Sequence, residues 1–556
     1  VFWYHQNRAL DAANPFAPVN AATGRRTKPF KVSNDIGVSG GGPVRIPGLY
    51  NGRDKTFFFG AYEGGRLRQQ TTRTFSVPPT AWRTGDFSGI TTVIRDPLTG
   101  AQFPGNRIPA NRINEVSRKT LDLFYPQPNT GSPNSPSNNL TGLFPAPTDS
   151  DQFDVRIDQN LSSRQSVFGR YTWKDRSVAS QESGILPPIG AVRRPEKVWA
   201  FTGAYNFVIR PNLLNEFRGG FSGRNVSKDF DLDGAAVVQQ LGIQGLSSNL
   251  PKTPGAPNIA ISGTTTTGIS RGFKQTDRTY QFIDNVTWTR SRHSIKFGAD
   301  IRRLSTTDLL SFTTGDDFGD FTFDGTVTNA VIGHPFAAFL LGIPDSTQFA
   351  NTGPDIDGSV WHHGYFIQDD WKVTPRLTLS FGLRYELHPP FTEKNFNITN
   401  FDRPTGNAIV PNEEARRDAA PGFVASIGSS KVVTAKEAGV PEVLRTTDYN
   451  NFAPRLGFAF RPFNNTKTVI RGGYGIYTVS ILGSVFYSLT GIHTSDVRAF
   501  NNSFNASRVP AFQFPLPFPG TQGSVPVVGT QDFRTANQQD YADPYNQQWS
   551  LTFEQE

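Results

Sequence analysis

Between Leu377 and Leu387 apolar and polar residues alternate without exception. Leu377, Leu379, Phe381, Leu383, Tyr385 and Leu387 are apolar; Thr378, Ser380, Gly382, Arg384 and Glu386 are polar or glycine. A period of two marks a strand with one apolar and one wet face. The residues before it repeat the pattern more loosely. Trp361, Tyr365, Ile367, Trp371 and Val373 share one face, and His362, Gly364, Gln368, Asp370 and Lys372 the other. Thr374-Pro375-Arg376 predicts a tight turn between them, so residues 359–388 read as a long antiparallel hairpin. Strands of soluble sheets are usually about 5–6 residues long, whereas a strand crossing a bilayer at a tilt needs about 9–11.

The same unit recurs. Phe153, Val155, Ile157 and Leu161 alternate with Asp154, Arg156, Asp158 and Asn160; a turn at 162–164 leads to Val167, Tyr171 and Trp173. Trp199, Phe201, Tyr205 and Phe207 precede a turn at Arg210-Pro211-Asn212, then Leu213, Phe217 and Phe221. Tyr280, Phe282, Val286 and Trp288 turn at 290–293 into Ile295, Phe297, Ala299 and Ile301. Leu456, Phe458 and Phe460 turn at Phe463–Thr466 into Ile470, Tyr474 and Ile476, and a last strand starts at Tyr545. Turns within hairpins are short. The connections between hairpins, roughly 71–149, 175–195, 227–278, 305–357, 389–451 and 479–543, are long and rich in Gly, Pro, Asn, Ser and Thr. Such lengths argue against a compact soluble domain and suit an outer-membrane barrel with short periplasmic turns and long extracellular loops. Trp173, Trp199, Trp288, Trp361, Trp371 and Trp549 lie towards strand ends, as interfacial girdles require. Asp284 and Asp369 fall on the apolar face; either a bulge resets the register there or they sit near the interface.

Composition supports an all-β, transmembrane antiparallel barrel. Hydrophobic residues make up 36% and no apolar run reaches the length of a spanning helix. Aromatics are 12% and charged residues only 18%, a balance suited to strands and turns rather than helices. Without Cys, no thiolate metal site is available. The net charge of +8 is scattered rather than gathered into a stripe, so no nucleic-acid partner is expected. The chain starts at Val1 inside an aromatic run without a signal peptide and reads as an internal fragment.

At Asn34–Arg68 the segments NDIGVSGGGPV and DKTFFFGAYEGGRLRQ closely resemble the FGGSLGGP…KDKTFFFGSYEG signature of Oar-like TonB-dependent receptors of the acidobacterial type. VFWYHQNRALDA (1–12) resembles that family's first barrel strand. TFSVPPTAWRTGDFSG (74–89) and residues 96–129 resemble its first outer segment, and residues 364–386 and 450–460 its mid-barrel strands. The resemblance implies that residues 1–556 are a barrel-domain fragment with about fourteen strands of a 22-stranded barrel. Signal peptide, regulatory-like domain, plug and closing strands would lie outside it. It implies outer-membrane uptake of a bulky solute, carbohydrate or peptide, driven through TonB, and no enzyme activity. The partners would be outer-membrane lipid, the TonB complex (through a segment upstream of Val1) and an extracellular solute.

Candidate site residues follow from the alternation. Arg156, Arg170, Arg302, Arg384 and Glu386, with Glu63, Arg66 and Arg68, are expected to face the lumen, where they meet solute or plug, or simply water. The loop aromatics Phe312, Phe318, Phe321 and Phe323 either stack on sugar rings or pack the loops together. Asp229, Asp231 and Asp233, followed by Gly234, match the start of a calcium loop, but its twelfth position is Gln240 rather than Glu. A structural calcium there is the one cofactor considered. Asp316, Asp317, Asp320 and Asp324 form a weaker cluster, better suited to Asx turns. Gly37-Val38-Ser39-Gly40-Gly41 fits G-x-S-x-G, but no helix follows and a glycine-rich strand is expected instead. His362 and His363 are adjacent and face opposite ways on a strand, and the other histidines are scattered, so no metal centre is expected. Two other classes remain open: a non-transporting adhesion barrel, and a secreted all-β hydrolase, which would need a paired-carboxylate site.

Overall fold

The computed structural model describes all residues except 14–18, 20–22, 27, 183, 247–253, 269–271, 309–317, 352–353, 464–466, 481–482 and 520–536. Fourteen strands form one antiparallel sheet in chain order. They are β1 (Phe2–Asn7), β2 (Lys31–Pro43), β3 (Thr56–Phe75), β4 (Thr148–Ser162), β5 (Gln165–Ser180), β6 (Val192–Arg210) and β7 (Leu213–Lys228). Then come β8 (Phe273–Arg290), β9 (His293–Asp308), β10 (Ile356–Thr374), β11 (Leu377–Leu387), β12 (Phe452–Phe460), β13 (Thr468–Thr478) and β14 (Tyr545–Gln555). Among the described residues β1 and β14 do not pair with each other, so the sheet is an open stave rather than a closed ring. The glycine-rich strand expected through Gly37–Gly41 is β2. The turn at 463–466 lies largely outside the described residues.

The apolar rows face outward. Ile367 is 54% and Phe381 44% exposed, and Phe297, Ile367 and Leu383 are register partners across β9, β10 and β11. Both outward-facing acids keep their register. Pairing of β10 with β11 runs unbroken from His363 to Lys372 and shifts only at the turn. Asp369 is met by His293 Nδ1 at 2.6 Å, and that imidazole stacks on Trp371 at 5.4 Å. Asp284 accepts from Asn215 Nδ2 at 2.7 Å. No bulge is involved; each carboxylate has its own partner on the outward face.

The strands run farther than the alternation suggests. β5 and β6 leave only residues 181–191 between them, where 175–195 was expected as loop. At these outer ends the polarity inverts. Phe75, Val192, Val360 and Ala453, all on the inward parity of their strands, are buried beneath the long connections. A period-two reading tuned to an outward apolar face fades there.

The long connections are folded rather than irregular. Asn258–Ile261, Asp320–Phe323, Ser346–Asn351 and Asp496–Asn501, drawn from three connections, form a second four-stranded sheet. Around it lies an aromatic core in which Phe323 meets Phe339 at 5.3 Å, Phe321 meets Phe514 at 5.1 Å and Phe349 meets Phe518 at 4.9 Å. The helix Glu115–Phe124, capped by Asn114, adds Val116, Leu121 and Phe124 to this core. The buried Asp345 carboxylate accepts from the backbone N–H groups of Gly325, Val327 and Thr328 and ties one loop in place.

The facing of β11 makes a direct prediction. Phe381→Arg places a cation on the apolar face and should cost roughly 2–4 kcal/mol near mid-depth, blocking assembly. Ser380→Arg, on the opposite face, should assemble normally. Heat-modifiability on gels reads the difference, and equal assembly of the two would reverse the facing.

Candidate functional site

The inward face of β9–β11 carries a column of charge. Three candidates from the sequence, Arg302, Arg384 and Glu386, come together there with an acid the sequence reading did not single out, Asp300. Arg302 pairs with Asp300 at 2.6 Å, and Gln281 Nε2 donates to the same carboxylate at 2.9 Å. Arg384 pairs with Glu386 at 2.7 Å, and Thr478 Oγ1 also donates to Glu386. Gly364 is the register partner of both Asp300 and Glu386. A Cβ at Gly364 would stand 2.5 Å from Arg384 Nη2, so glycine is what lets the guanidinium lie against the wall.

The column continues outward. His362 is the register partner of Arg302, and its ring lies 4.9 Å from that of His388. His388 Nδ1 is 3.0 Å from Asp543 Oδ2, Arg445 Nη2 is 3.1 Å from Asp543 Oδ1, and Asn451 Nδ2 donates to Asp543 at 2.9 Å. Asp543 is fully buried under the connections. Burial pushes its carboxyl up, but the hydrogen bonds and charges of His388 and Arg445 outweigh this and hold it below the usual carboxylate range. His388 is one of the histidines scattered along the sequence; its partners stand at the far ends of two connections, a separation no local pattern reports.

Arg156 and Arg170 also face inward but belong to a different part of the wall, with β6, β7 and β8 between. Arg156 pairs with Asp158 at 2.6 Å and lies over the Phe168 ring at 3.9 Å. Arg170 pairs with Asp154 at 2.6 Å. Arg66 and Arg68 correct the expectation. They share the parity of Tyr62, opposite to Glu63, and lie on the outward face with Asp149 and Asp151. One residue of parity decides the face of a strand.

Of the two readings open for the loop aromatics, the structure shows packing of the loops. Phe318, Phe321 and Phe323 are fully buried in the aromatic core and present no face to a solute; Phe312 lies outside the described residues. The three acids of the calcium pattern are turned to separate tasks. Asp229 accepts from Ser227, Asp231 pairs with Arg193, and Asp233 caps the helix Gly234–Leu241 through Ala235 and Ala236 N–H. A helix N-cap takes the chain out of the loop geometry that calcium needs. Among the described residues no group of three His, Cys, Asp or Glu side chains is placed to hold a metal ion. Asp320 accepts from Asn258 and Asp324 from Thr326, while Asp316 and Asp317 lie outside the described residues.

Two buried histidines bear on the connections. His334 caps the helix Pro335–Leu340 by accepting from Phe336 N–H and packs against Trp82 at 4.8 Å. His493 is 2.8 Å from Thr399. Burial pushes both down to about 4.

Two predictions follow from these groups. Asp543→Asn removes the charge that His388 and Arg445 share and should cost about 3–5 kcal/mol, as for breaking a buried ion pair. It would appear as faster hydrogen exchange near 443–451 with barrel assembly unchanged; unchanged exchange would show the clasp to be idle. The histidines titrate in the opposite sense to a salt bridge. Their folded pKa lies below the unfolded value near 6.5, so the stability they permit is intact above that pH and falls as pH drops towards 4. Exchange at 334–341 should rise over that window. His334→Asn keeps a cap without the titration and should flatten the rise there; an undiminished rise would remove His334 from the account.

The sequence matches the family model described as Outer membrane beta barrel domain over residues 1–556. No curated protein matches it in sequence. Among solved structures, the outer membrane transporter YddB from Escherichia coli is 11% identical with a TM-score of 0.46, covering 96% of this chain and 46% of its own. The siderophore receptor PirA from Acinetobacter baumannii is 8% identical with a TM-score of 0.37, covering 86% and 43%. FpvA from P. aeruginosa, solved with heterologous pyoverdines, is 9% identical with a TM-score of 0.37, covering 82% and 43%. The chain thus spans less than half the length of each of these structures. Matched from end to end, with its apolar rows outward and its charges inward, the chain belongs to the outer membrane β-barrel domain family.

Proposed function

We propose that the chain forms wall and outer vestibule of an Oar-like TonB-dependent transporter that takes up a bulky carbohydrate or peptide. The observation that carries this reading is the charged column of Asp300, Arg302, Arg384 and Glu386, continued by His362 and His388 to Asp543 under the folded connections. A wall that needs only to be wet can be built from Ser, Thr and Asn. Alternating carboxylates and guanidinium groups instead offer a graded series of acceptors and donors to the hydroxyls and amides of a passing solute. The signatures at 34–68 and 364–386 support the Oar-like assignment. No covalent step is needed: the mechanism is capture at the outer module, displacement of a plug and passage. TonB would be engaged through a segment outside this chain.

The adhesion reading draws on the solid aromatic core of the connections, which would serve a binding surface equally well. In that case the column is dispensable. The full-length parent carrying Arg302→Gln and Arg384→Gln separates the two. Uptake of labelled oligosaccharides and peptides should fall several-fold at normal surface abundance, and a protonophore should abolish it in the unaltered protein. Protonophore-insensitive uptake, or a double variant that transports normally, would sink the proposal.

A further inference from the structure

The outward aromatic rows are broken at one place by arginine. Tyr62, Phe153, Trp173 and Trp199 are successive register partners across β3–β6. The row continues through Gly223, over which the Trp199 indole lies, to Arg278 and Ser305. The neighbouring row runs through Tyr171, Phe201, Phe221 and Tyr280, then meets Arg303 and Trp361. Lys274 stands on the same face of β8, farther out.

On β3 and β6 the outward cations at comparable depth are paired. Arg66 and Arg68 pair with Asp149 and Asp151, and Lys197 with Asp175 at 3.5 Å. Around Arg278 and Arg303 the acids are turned away or engaged. Asp277 is turned inward, where it accepts from Thr306; Asp357, on the outward face level with Thr276, pairs with Lys394; and Asp229, next to Lys274 on the outward face, accepts from Ser227. Among the described residues no ion pair or side-chain hydrogen bond engages Lys274, Arg278 or Arg303. Arg278 and Arg303 are diagonal neighbours, about 7–8 Å apart at the backbone, close enough for two guanidinium forks to share one phosphate or take two adjacent ones. Beside them, Asn225 Oδ1 is buried without a partner, across from Thr276; it can accept from a hydroxyl.

We infer that Lys274, Arg278, Arg303 and Asn225 form a site for the phosphorylated saccharide headgroup of an outer-leaflet glycolipid. The cations take phosphate, Asn225 takes a sugar hydroxyl, and Tyr280, Phe221 and Trp361 form the floor at the depth where rings meet headgroups. The site lies on the membrane side of the wall and does not depend on what passes through the lumen.

The test uses the full-length parent in neutral detergent with diphosphoryl lipid A as probe, read by native mass spectrometry. Arg278→Gln with Arg303→Gln should weaken binding about tenfold or more, and the Lys variants at both positions should recover part of it. Arg66→Gln, a balanced cation on the same face several strands away, should change little. Dephosphorylated lipid A should bind weakly, and millimolar inorganic phosphate should not displace the lipid. Wild-type affinity in the Gln variant, an equal loss in Arg66→Gln, or displacement by inorganic phosphate alone would overturn the site. Heat-modifiability of each variant confirms that a loss is not misfolding.

Discussion

A strand in hydrocarbon has no water to satisfy its backbone, so every N–H and C=O on it must pair with a neighbouring strand. The rest of the molecule depends on that constraint. It forces long, regular, in-register ladders, and β6–β10 pair residue for residue over most of their length with register shifts confined to the turns. Regular pairing in turn fixes side-chain parity. Once Phe297, Ile367 and Phe381 face lipid, Asp300, Gln368 and Arg384 have to face the lumen.

The inward charges inherit their geometry from the same ladders. Residues two apart on a strand share a face at a separation that suits an Arg with Asp or Glu. The wall uses this repeatedly: Arg156 with Asp158, Arg302 with Asp300, Arg384 with Glu386. Arg156–Asp158 is the most open of these, and an exposed pair contributes little to stability; Arg384–Glu386 is more enclosed. What the pairs do is hold a set of fixed donors and acceptors in place. The fully buried clasp at Asp543 is a different case, because its charge is removed from water and depends on its partners.

Much of this was legible in the sequence. The hairpins at 153–173, 199–221, 280–301 and 359–388 could be read because a strand with lipid on one face and water on the other leaves a period-two signature. So could the three column residues that alternate with lipid-facing ones. What escaped has a physical reason in each case. For Phe318, Phe321 and Phe323 the packing reading holds, but the second sheet that Phe321 and Phe323 join was not legible, because local pattern does not say which core a strand joins. The Asp229–Asp233 run looks like a calcium loop until Asp233 becomes a helix cap. The clasp of His388 with Asp543 closes a distance of well over a hundred residues, which only the tertiary fold reports.

The outer ends of the strands show why the boundaries were the least readable part. Strand β10 buries Ile356 and Val360 inward under the connections, yet presents Trp361, Tyr365 and Ile367 outward. Both faces are apolar, in turn, along one uninterrupted strand. The change of side at Val360–Trp361 marks where lipid ends and the folded connections begin, because an apolar side chain seeks whichever side is dry. β3 makes the same change between Phe58, outward, and Phe75, inward, and β6 between Phe201 and Val192. The switch of apolar parity is therefore a structural ruler for the outer edge of the membrane. On that ruler Arg278 and Arg303 fall in the band where β6 and β10 place Trp199 and Trp361. There a cation meets headgroups rather than hydrocarbon, and its charge is compatible with an outward facing.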